Sequence, residues 1–398
     1  MKIKDKIEAG IGYSYINTGK IEDINKQIGG TLKKIRVLVV DDSAFMRKVV
    51  SDILNSDEEI EVVGTAKDGV EAVELTQKLK PDVITMDVEM PRMNGIEAVR
   101  KIMEIQPTPI MMLSALTKRG SKETLEALEA GAVDFIPKPS GTISLDIREI
   151  GDELIKKVKA VAKARVRRRI PTKPKGESEK KEGISKKEKK VTSELELDIP
   201  PEKLSKMAVI IGSSTGGPPV VTQIVSKLPK NMPPVFIVQH MPEGFTKMFA
   251  ERMNAESLLT VKEAEDGELV RPGYAYVAPG GYHMLLKKRG NNVYIVLDNK
   301  MPKVHGTKPS VEITAEYVAR IYGGKTVAVM LTGIGRDGAE AYKLIKEKGG
   351  KIIAQDKDSC IVFGMPKAVI ELGIVDAILP PSKIPETIVK FIKSIYKG

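Results

Sequence analysis

The sequence predicts an α/β protein in which two doubly wound, mainly parallel sheets form separate domains joined by a basic segment. The 398 residues suffice for two domains of ordinary size, each with its own hydrophobic core. Short β-branched runs alternate with amphipathic stretches in two series, as in βα units around a parallel sheet. Between the series lies a stretch that is rich in Lys and Glu and poor in aromatic residues. These observations predict two folded domains and a linker.

The first series predicts a compact domain at residues 34–150. Amphipathic stretches separate its strands; in FMRKVVSDIL, for example, Met46, Val49 and Ile53 recur at helical spacing. The five predicted strands are 35–42, 61–66, 82–87, 109–115 and 134–139.

The segments on either side of this domain are predicted to lie outside its core. Residues 1–33 are an extension that is either a flexible tail or an over-long start. A helix at about 146–166 leads into the basic segment, and the region 151–205 is assigned to this helix and a linker. A composition dominated by Lys, Glu, Pro, Gly and Ser cannot bury enough apolar surface to fold, so the linker is predicted to be flexible.

The second series predicts another α/β domain at residues 206–398, closed by the helical pattern SKIPETIVKFIKSIYK. Between about 273 and 299 the pattern changes to alternation, with YAYVAP, HMLLKK, the turn-like RGNN and VYIVLD, which is typical of hairpins. The domain is therefore predicted to be a mainly parallel sheet with an antiparallel addition. The parallel strands are predicted at 206–212, 234–240, 326–333, 351–356 and 375–380.

Charge and composition restrict the partners and the compartment. The formal net charge of +11 is concentrated between Lys156 and Lys190, where 16 Lys or Arg stand against four Glu. We interpret this charge as a solvated linker and predict no nucleic-acid partner. The one cysteine, Cys360, allows no intramolecular disulfide, and no run of about 18 apolar residues could span a membrane. These features predict a soluble cytoplasmic protein without membrane insertion.

Charged side chains gather where the predicted strands of the first domain end. Because the carboxyl ends of parallel strands share one edge of a sheet, these groups are expected to converge. Three carboxylates suit Mg²⁺, and one of them could attack a phosphoryl group whose oxygens a lysine and a hydroxyl bind. The residues at this edge are Asp41, Asp42, Asp87, Ser114 and Lys138.

The first domain resembles two-component receiver domains, which have a flavodoxin-like fold, in the stretches VVDDS, ITMDVEMPRMNG, MLSALT and FIPKP. The resemblance implies that Asp87 is the phosphoacceptor and that a histidine kinase donates the phosphoryl group. The implied Mg²⁺ ligands are Asp41, Asp42, Asp87 and the Val88 carbonyl. The implied phosphoryl-sensing residues are Ser114, Lys138 and Phe135.

Two neighbouring residues near the end of the first domain have open interpretations. Phe135 occupies the position where receivers often place a switching aromatic, although packing alone would also explain a Phe there. Asp134, just before it, is interpreted as a cap or a surface residue.

The stretch IGSSTGG, residues 211–217, follows an apolar run and allows two interpretations. A phosphate-binding loop needs a lysine and a hydroxyl after its last glycine, but Pro218 and Pro219 follow instead. Residues 212–216 match G-x-S-x-G, the spacing that lets a strand-to-helix turn project a strained serine. Ser214 is therefore the candidate nucleophile.

A serine hydroxyl needs a base, and the three histidines of the chain all lie in the second domain. His240 closes the predicted strand PVFIVQH, the same kind of position that Ser214 has after its own strand, so we favour His240. His283 opens a hairpin strand and His305 lies in a loop, where either could line a site or simply be exposed.

A carboxylate that orients the imidazole is predicted at Asp337, in a glycine-rich turn after the strand TVAVMLTG. Asp356, after KIIAQ, is the competitor, although a cap or turn role suits it as well. Backbone amides could stabilise an oxyanion, and those of Thr215 and Ile334 are the candidates.

The second domain resembles the chemotaxis response-regulator protein-glutamate methylesterases in IGSSTGGP, VQHMPEGFT, YVAPGGYHM, HGTKPSVE and MLTGIGRDGA. With the receiver, the resemblance covers about 35–145 and 206–395. It implies that Ser214 is the nucleophile, His240 the base and Asp337 the orienting acid, and that ester hydrolysis needs no cofactor.

The implied function is phosphorylation-activated hydrolysis of glutamate methyl esters on the cytoplasmic helices of chemoreceptors, by a monomer. Whether receptor glutamines are also deamidated is left open. Ser213 stands where the family more often has alanine, and we interpret it as a decoy. Two alternatives remain: a receiver-linked transcription factor, for which no helix-turn-helix pattern is present, and an amidase or peptidase with the same triad.

Overall fold

A computed structural model of the protein describes residues 33–115, 117–138, 146–164, 166 and 195–397. Nearly all of the predicted N-terminal extension and most of the predicted basic linker lie outside this part. Residues from Ile35 onward form one compact unit, which contains two parallel sheets and a separate hairpin. None of the helices in these ranges is long and apolar enough to cross a membrane.

The first domain has a sheet of five parallel strands surrounded by helices. The strands are β1 Ile35–Val40, β2 Ile60–Ala66, β3 Val83–Asp87, β4 Ile110–Ser114 and β5 Asp134–Pro137. The helices are α1 Ala44–Asn55, α2 Gly69–Leu79, α3 Gly95–Ile105, α4 Lys118–Ala130 and α5 Asp146–Val161. The strand order is β2-β1-β3-β4-β5, so all five predicted strands are present, each within a few residues of its predicted bounds. β1 is almost continuously apolar because elements pack on both faces of the sheet.

The predicted helix-and-linker region, 151–205, has folded ends. Helix α5 buries Val158 in the first domain and ends at Val161, earlier than predicted, where the chain turns with i→i−3 hydrogen bonds. At the other end, Leu197 and Ile199 are buried. Local composition did not predict this, because isolated apolar residues in a charged segment find their partners only in the tertiary structure.

The second domain has a sheet of seven parallel strands. Its strands are β6 Ala208–Ser213, β7 Val235–Gln239, β8 Thr260–Glu263, β9 Tyr274–Val277, β12 Thr326–Met330, β13 Lys351–Gln355 and β14 Ala377–Leu379. The strand order β14-β13-β12-β6-β7-β9-β8 places β7 on one side of β6 and β12 on the other. The carboxyl ends of these three strands therefore border the crevice where the strand order reverses, which is where open α/β sheets bind ligands.

Helices flank this sheet on both faces. They are α6 Pro201–Leu204, α7 Gly217–Val225, α8 Phe245–Glu256, α9 Val311–Tyr322, α10 Ala339–Glu347, α11 Met365–Glu371 and α12 Ile384–Lys397. Helix α7 begins directly after the IGSSTGG stretch, where Gly216 takes the left-handed conformation with φ of 75°. A glycine suits this position because other residues rarely adopt that conformation.

The predicted hairpin region divides into two parts. HMLLKK and VYIVLD lie in the antiparallel pair β10 His283–Arg289 and β11 Asn292–Asp298, which forms a separate two-stranded sheet. YAYVAP, which was assigned to the hairpins, instead forms β9 and pairs in parallel with β7 and β8. Alternation of apolar residues does not distinguish parallel from antiparallel pairing, and the short strand β8 was not predicted.

The two domains are in direct contact. Helix α4 of the first domain packs against α7 and α8 of the second. Leu128 of α4 belongs to the same hydrophobic cluster as Val221 of α7 and Phe249 of α8. Glu129 of α4 forms an ion pair with Arg252 of α8. The contact therefore combines apolar burial with a charge pair.

Candidate active site

The register of two neighbouring strands brings the candidate nucleophile and base together. Ser213 at the end of β6 is paired with Gln239 at the end of β7. Ser214 and His240, the next residue on each strand, therefore leave the sheet side by side. The last hydrogen bond of this ladder joins the His240 amide to the Ser213 carbonyl at 3.1 Å.

His240 is held by the loop that follows β12. Its Nε2 lies 2.7 Å from Asp337 Oδ2 and 3.3 Å from Thr307 Oγ1. The structure thus brings the predicted base and the predicted carboxylate into contact. Because Nε2 faces Asp337, Nδ1 is the ring nitrogen left for another partner.

Asp337 is almost fully buried and is saturated with hydrogen-bond donors. Oδ2 also accepts from the Val311 amide at 2.6 Å, while Oδ1 accepts from Ser310 Oγ at 2.7 Å and from the Glu312 amide at 3.2 Å. Burial opposes ionisation, but the His240, Ser310 and Val311 hydrogen bonds outweigh it and hold the pKa of Asp337 below its ordinary value. The carboxylate is therefore held in one position, and its ionised form is favoured.

A group of possible metal ligands lies beside this carboxylate. The ligand atoms of His305, Glu312 and Asp337 are within 4.8 Å of one another. Burial, together with the Asp337 charge, raises the pKa of Glu312. Both oxygens of Asp337 already accept hydrogen bonds from Ser310, Val311 and Glu312.

Ser214 lies in a tight turn and is only 8% exposed. Its amide donates to the Thr332 carbonyl at 3.0 Å, so the turn is tied to the chain after β12. A Cβ at Gly333 would lie 2.8 Å from Ser214 Cβ, which explains the glycine there. The φ of Ser214 is not positive, so the strained serine expected from the G-x-S-x-G spacing is not present. Gly216, two residues later, takes the left-handed conformation instead.

The predicted oxyanion donors are available for bonding. In the ranges that the structure describes, neither the Thr215 amide nor the Ile334 amide donates to a backbone or side-chain acceptor. Both follow strands that border the crevice, β6 and β12. Unpaired amides at this edge can donate hydrogen bonds to a negatively charged oxygen of a bound substrate.

Of the alternative residues, His283, Asp356 and Ser213 have structural partners, whereas His305 lies beside Asp337. His283 is fully buried, and its Nε2 lies 3.0 Å from the Pro302 carbonyl. Asp356 accepts from the Ser359 amide at 2.9 Å and so holds a turn. His305 is exposed and has a positive φ of 52°. Ser213 is buried and donates to Gln239 Oε1 at 2.6 Å.

The acidic edge of the first domain also converges. Lys138 Nζ lies 2.8 Å from Asp41 Oδ2 and 2.8 Å from Asp87 Oδ2. The ligand atoms of Asp41, Asp42 and Asp87 lie within 4.8 Å of one another, and Asp42 is exposed. Hard oxygen ligands at this spacing fit Mg²⁺. Burial raises the pKa of Asp87 to about 6, although Lys138 opposes that shift.

Two predicted residues of this edge have other partners. Ser114 is buried; it accepts a hydrogen bond from Thr124 Oγ1 at 2.7 Å and forms no hydrogen bond with Asp87 in the described chain. The Val88 carbonyl accepts from the Gly95 amide at 2.9 Å. It therefore faces the start of α3, which does not support its predicted role as a metal ligand.

Comparison with known proteins identifies the family. The family described as response regulator receiver domain matches residues 37–148, and the family described as CheB methylesterase matches residues 209–388. A protein-glutamate methylesterase/protein-glutamine glutaminase of Methanococcus maripaludis is 60% identical, covering 92% of this chain and 100% of its own. The chain belongs to the protein-glutamate methylesterase/protein-glutamine glutaminase family. This methylesterase is thus a hydrolase with a receiver domain, and the predicted family and fold class are confirmed.

A second curated relative agrees with this assignment. A protein of the same name from Pyrococcus abyssi is 50% identical and covers 92% of this chain and 96% of its own. The crystal structure of the Thermotoga maritima CheB methylesterase catalytic domain is 51% identical and covers 46% of this chain and 97% of that chain, with a TM-score of 0.45. The CheB methylesterase match occupies the half of the chain in which a transcription factor would carry its DNA-binding domain, so that alternative is wrong.

The receiver of this methylesterase touches the loop that carries Ser214. Thr215 Oγ1 donates to Asp134 Oδ2 of β5 at 2.6 Å, and both side chains are buried. The interpretation of Asp134 as a surface residue is therefore wrong, although its Oδ1 also caps the Phe135 amide at 2.8 Å. An acid within the apolar run AVDFIP was the signal available in the sequence, but its partner was not.

The next residue of β5 touches the start of α8, the helix that follows the loop of His240. The rings of Phe135 and Phe245 stack with centroids 4.5 Å apart, and Phe245 is the first residue of α8. Lys157 of α5 lies 3.2 Å from Asp134 Oδ2 and donates to the Phe135 carbonyl at 2.9 Å. Burial opposes the charge of Lys157, but Asp134 and Glu153 raise its pKa above its usual range. Two neighbouring receiver residues thus reach the loop of Ser214 and the helix that follows the loop of His240.

Proposed function

We propose that the protein is a phosphorylation-activated protein-glutamate methylesterase that acts in the cytoplasm on chemoreceptors. It releases methanol from glutamate methyl esters, and deamidation of receptor glutamines is a second activity that the names of the relatives suggest. The observation that supports this most is the 2.7 Å contact between His240 and Asp337, beside Ser214 at the crevice of the sheet.

In the proposed reaction Ser214 Oγ attacks the γ-carbonyl carbon of the methylated glutamate. His240 takes the hydroxyl proton through Nδ1, the nitrogen that does not face Asp337. The same proton goes to the departing methoxy group, so methanol leaves and an acyl-enzyme remains. Water then attacks the acyl carbon by the reverse route and releases glutamate.

Two groups stabilise the charges that form on this path. The Asp337 carboxylate orients His240 and stabilises its protonated form. The amides of Thr215 and Ile334 donate to the developing oxyanion, in keeping with their lack of partners in the described chain. This half of the protein needs no metal or organic cofactor for ester hydrolysis.

We propose that the receiver controls this reaction through Asp87. Asp41, Asp42 and Asp87 would hold Mg²⁺, which offsets the negative charge of the entering phosphoryl group. Asp87 accepts the phosphoryl group from a histidine kinase, and Lys138, which already contacts Asp41 and Asp87, binds its oxygens.

The receiver restrains the resting enzyme by two contacts. Asp134 holds the loop after β6 through Thr215, and Phe135 packs on Phe245 after the loop of His240. Phosphorylation shifts the population toward a state in which these contacts are released and substrate can reach Ser214.

Methanol release from methylated chemoreceptor membranes tests the proposed function. Full-length wild type and Ser214→Ala are each assayed with and without acetyl phosphate and Mg²⁺. The matched control is Ser226→Ala, because the Ser226 hydroxyl bonds only the Gln223 carbonyl at the surface in the described chain. We expect wild type and the control to be stimulated and Ser214→Ala to release no methanol. Residual release by Ser214→Ala would overturn the assignment of the nucleophile.

Ammonia release separates the second activity from the first. The same variants are incubated with receptor that carries unmodified glutamines. Deamidation by the same triad predicts that Ser214→Ala loses both products together. Loss of methanol with ammonia release unchanged would show that the deamidation is not catalysed by Ser214.

A further inference from the structure

We propose that Gln239 is a positioning residue that sets the separation of Ser214 and His240. The proposal rests on the proposed roles of Ser214 and His240 in ester hydrolysis. Gln239 is the last residue of β7, its side chain is 2% exposed, and it lies between the two loops that leave the sheet there.

One carboxamide nitrogen holds both loops. Gln239 Nε2 donates to the Ser214 carbonyl at 2.9 Å and to the His240 carbonyl at 3.1 Å. The β6–β7 ladder ends just before, with the bond between the His240 amide and the Ser213 carbonyl. Beyond that point strand pairing no longer fixes the distance between the two loops. The hydrogen bonds of the Gln239 side chain take over this function.

The carboxamide has only one favourable orientation. Ser213 Oγ donates to Gln239 Oε1 at 2.6 Å, and Ser213 is itself fully buried. If the amide were reversed, Oε1 would face two carbonyl oxygens and both would lose the hydrogen bond that Gln239 donates. Ser213 therefore helps to orient the carboxamide, and it is more than the decoy that its position in the sequence indicated.

The surrounding turn leaves room for this side chain. A Cβ at Gly217 would lie 2.2 Å from Gln239 Oε1, so a glycine is required where α7 begins. The Gly217 amide also donates to the Ser214 carbonyl at 2.8 Å. The carbonyl of the candidate nucleophile thus accepts two hydrogen bonds, one from its own turn and one from the neighbouring strand.

This arrangement predicts an effect on turnover more than on substrate binding. Gln239 donates to main-chain atoms of Ser214 and His240 and has no part in proton transfer. Loss of its donors would let the two loops drift, and a misplacement of about 1 Å can lower the rate about 100-fold. We expect a fall in kcat of about 10- to 100-fold with KM within about twofold.

The test compares Gln239→Glu with Gln355→Glu in the full-length, acetyl phosphate-activated enzyme. Gln355 is an equally buried glutamine at the end of β13, and its Nε2 donates to the Ser359 carbonyl and hydroxyl at 3.0 and 3.2 Å. Its Oε1 accepts from the Thr332 amide at 2.9 Å, a hydrogen bond that a carboxylate oxygen keeps. The control therefore buries the same new carboxylate in the same sheet. kcat and KM for methanol release and the Tm are measured for both variants.

The pH dependence separates positioning from a loss of stability. Protonation of the introduced carboxyl restores one donor, so the ratio of kcat in Gln239→Glu to that of wild type should rise as the pH is lowered. If Gln239→Glu does not fold, Gln239→Met, which has similar length and neither donor nor charge, is assayed in its place and compared with wild type and with Gln355→Glu.

Two results would overturn the proposal: wild-type kcat in the folded Gln239 variant, or a loss of kcat no larger than in the Gln355 control. Activity in Ser214→Ala would instead contradict the proposed function, so the two failures are distinguishable.

Discussion

Thr215 Oγ1 and Asp134 Oδ2 are 2.6 Å apart, and this hydrogen bond joins the residue after Ser214 to the last strand of the receiver. A hydrogen bond to a charged acceptor contributes about 1.5–3 kcal/mol. We expect Thr215→Val, which keeps the shape of the side chain, to raise methanol release without a phosphodonor by about tenfold, since about 1.4 kcal/mol corresponds to that factor.

A double-mutant cycle checks this contact. The double variant Asp134→Ala/Thr215→Val should raise the basal rate by no more than the larger of the two single effects, because both changes remove the same bond. The matched control is Thr314→Val, since the Thr314 hydroxyl is also buried but bonds the Met284 carbonyl at 2.9 Å within its own domain. Additive effects of the two changes, or an equal rise in the control, would contradict the predicted restraint.

Asp87 is predicted to carry the regulatory phosphoryl group. In Asp87→Asn the ratio of methanol release with acetyl phosphate to release without it should fall to about one, because the amide cannot accept the phosphoryl group. The control is Asp82→Asn, at the other end of β3, where the side chain caps the Arg36 amide at 2.9 Å. A wild-type response in Asp87→Asn would exclude Asp87 as the phosphorylation site.

Cys360 is predicted to report the opening of the contact between the domains. It is 7% exposed and lines a cavity of about 320 Å³ together with Met103 and Val133 of the receiver. Burial, with a smaller effect of Asp356, raises the pKa of its thiol to about 12, so almost no thiolate is present at neutral pH. Alkylation should therefore be slow in the resting enzyme.

Phosphorylation should accelerate this alkylation several-fold if the receiver moves away. The chain has a single cysteine, so the label needs no engineered site, and Asp87→Asn serves as the unstimulated control. An unchanged alkylation rate together with activated methanol release would mean that the receiver acts without separating from the methylesterase domain.

Asp337 is predicted to remain ionised throughout the working range of pH. Its pKa is lowered in the folded protein, so its contribution is complete above the ordinary Asp value of about 3.9 and is lost only as the pH falls through the lower, folded value. Protonation of Asp337 should therefore make no contribution to the acid limb of kcat/KM between about pH 5 and 7. A dependence on the second power of the proton concentration in this range would contradict this expectation.

Removal of the Asp337 charge should lower kcat severely. We expect Asp337→Asn to lower kcat by about 10³- to 10⁴-fold, because the amide favours the wrong tautomer of His240. Asp356→Asn is the matched control and should keep wild-type kcat, since Asp356 only holds a turn through the Ser359 amide. Equal losses in the two variants would indicate a structural effect.

Strand-end positions explain why much of the site could be predicted. Ser214, His240 and Asp337 each follow a predicted strand, and parallel strands bring their carboxyl ends to one edge of the sheet. The same reasoning found Asp41, Asp87 and Lys138, which the structure brings into contact. It was less successful for main-chain atoms: the direction of the Val88 carbonyl depends on the turn into α3, which no side-chain pattern indicates.

The sequence alone determined the two α/β domains and the residues that bear the chemistry, because strand periodicity, turns and motifs are local properties of the chain. Only the tertiary structure decided which of them meet. His240 and Asp337 are 97 positions apart, and Asp134 and Thr215 are 81 apart. Such contacts depend on strand order, register and the packing of whole domains. For the same reason the carboxamide of Gln239, which bonds both catalytic loops, could be recognised only once β6 and β7 lay side by side.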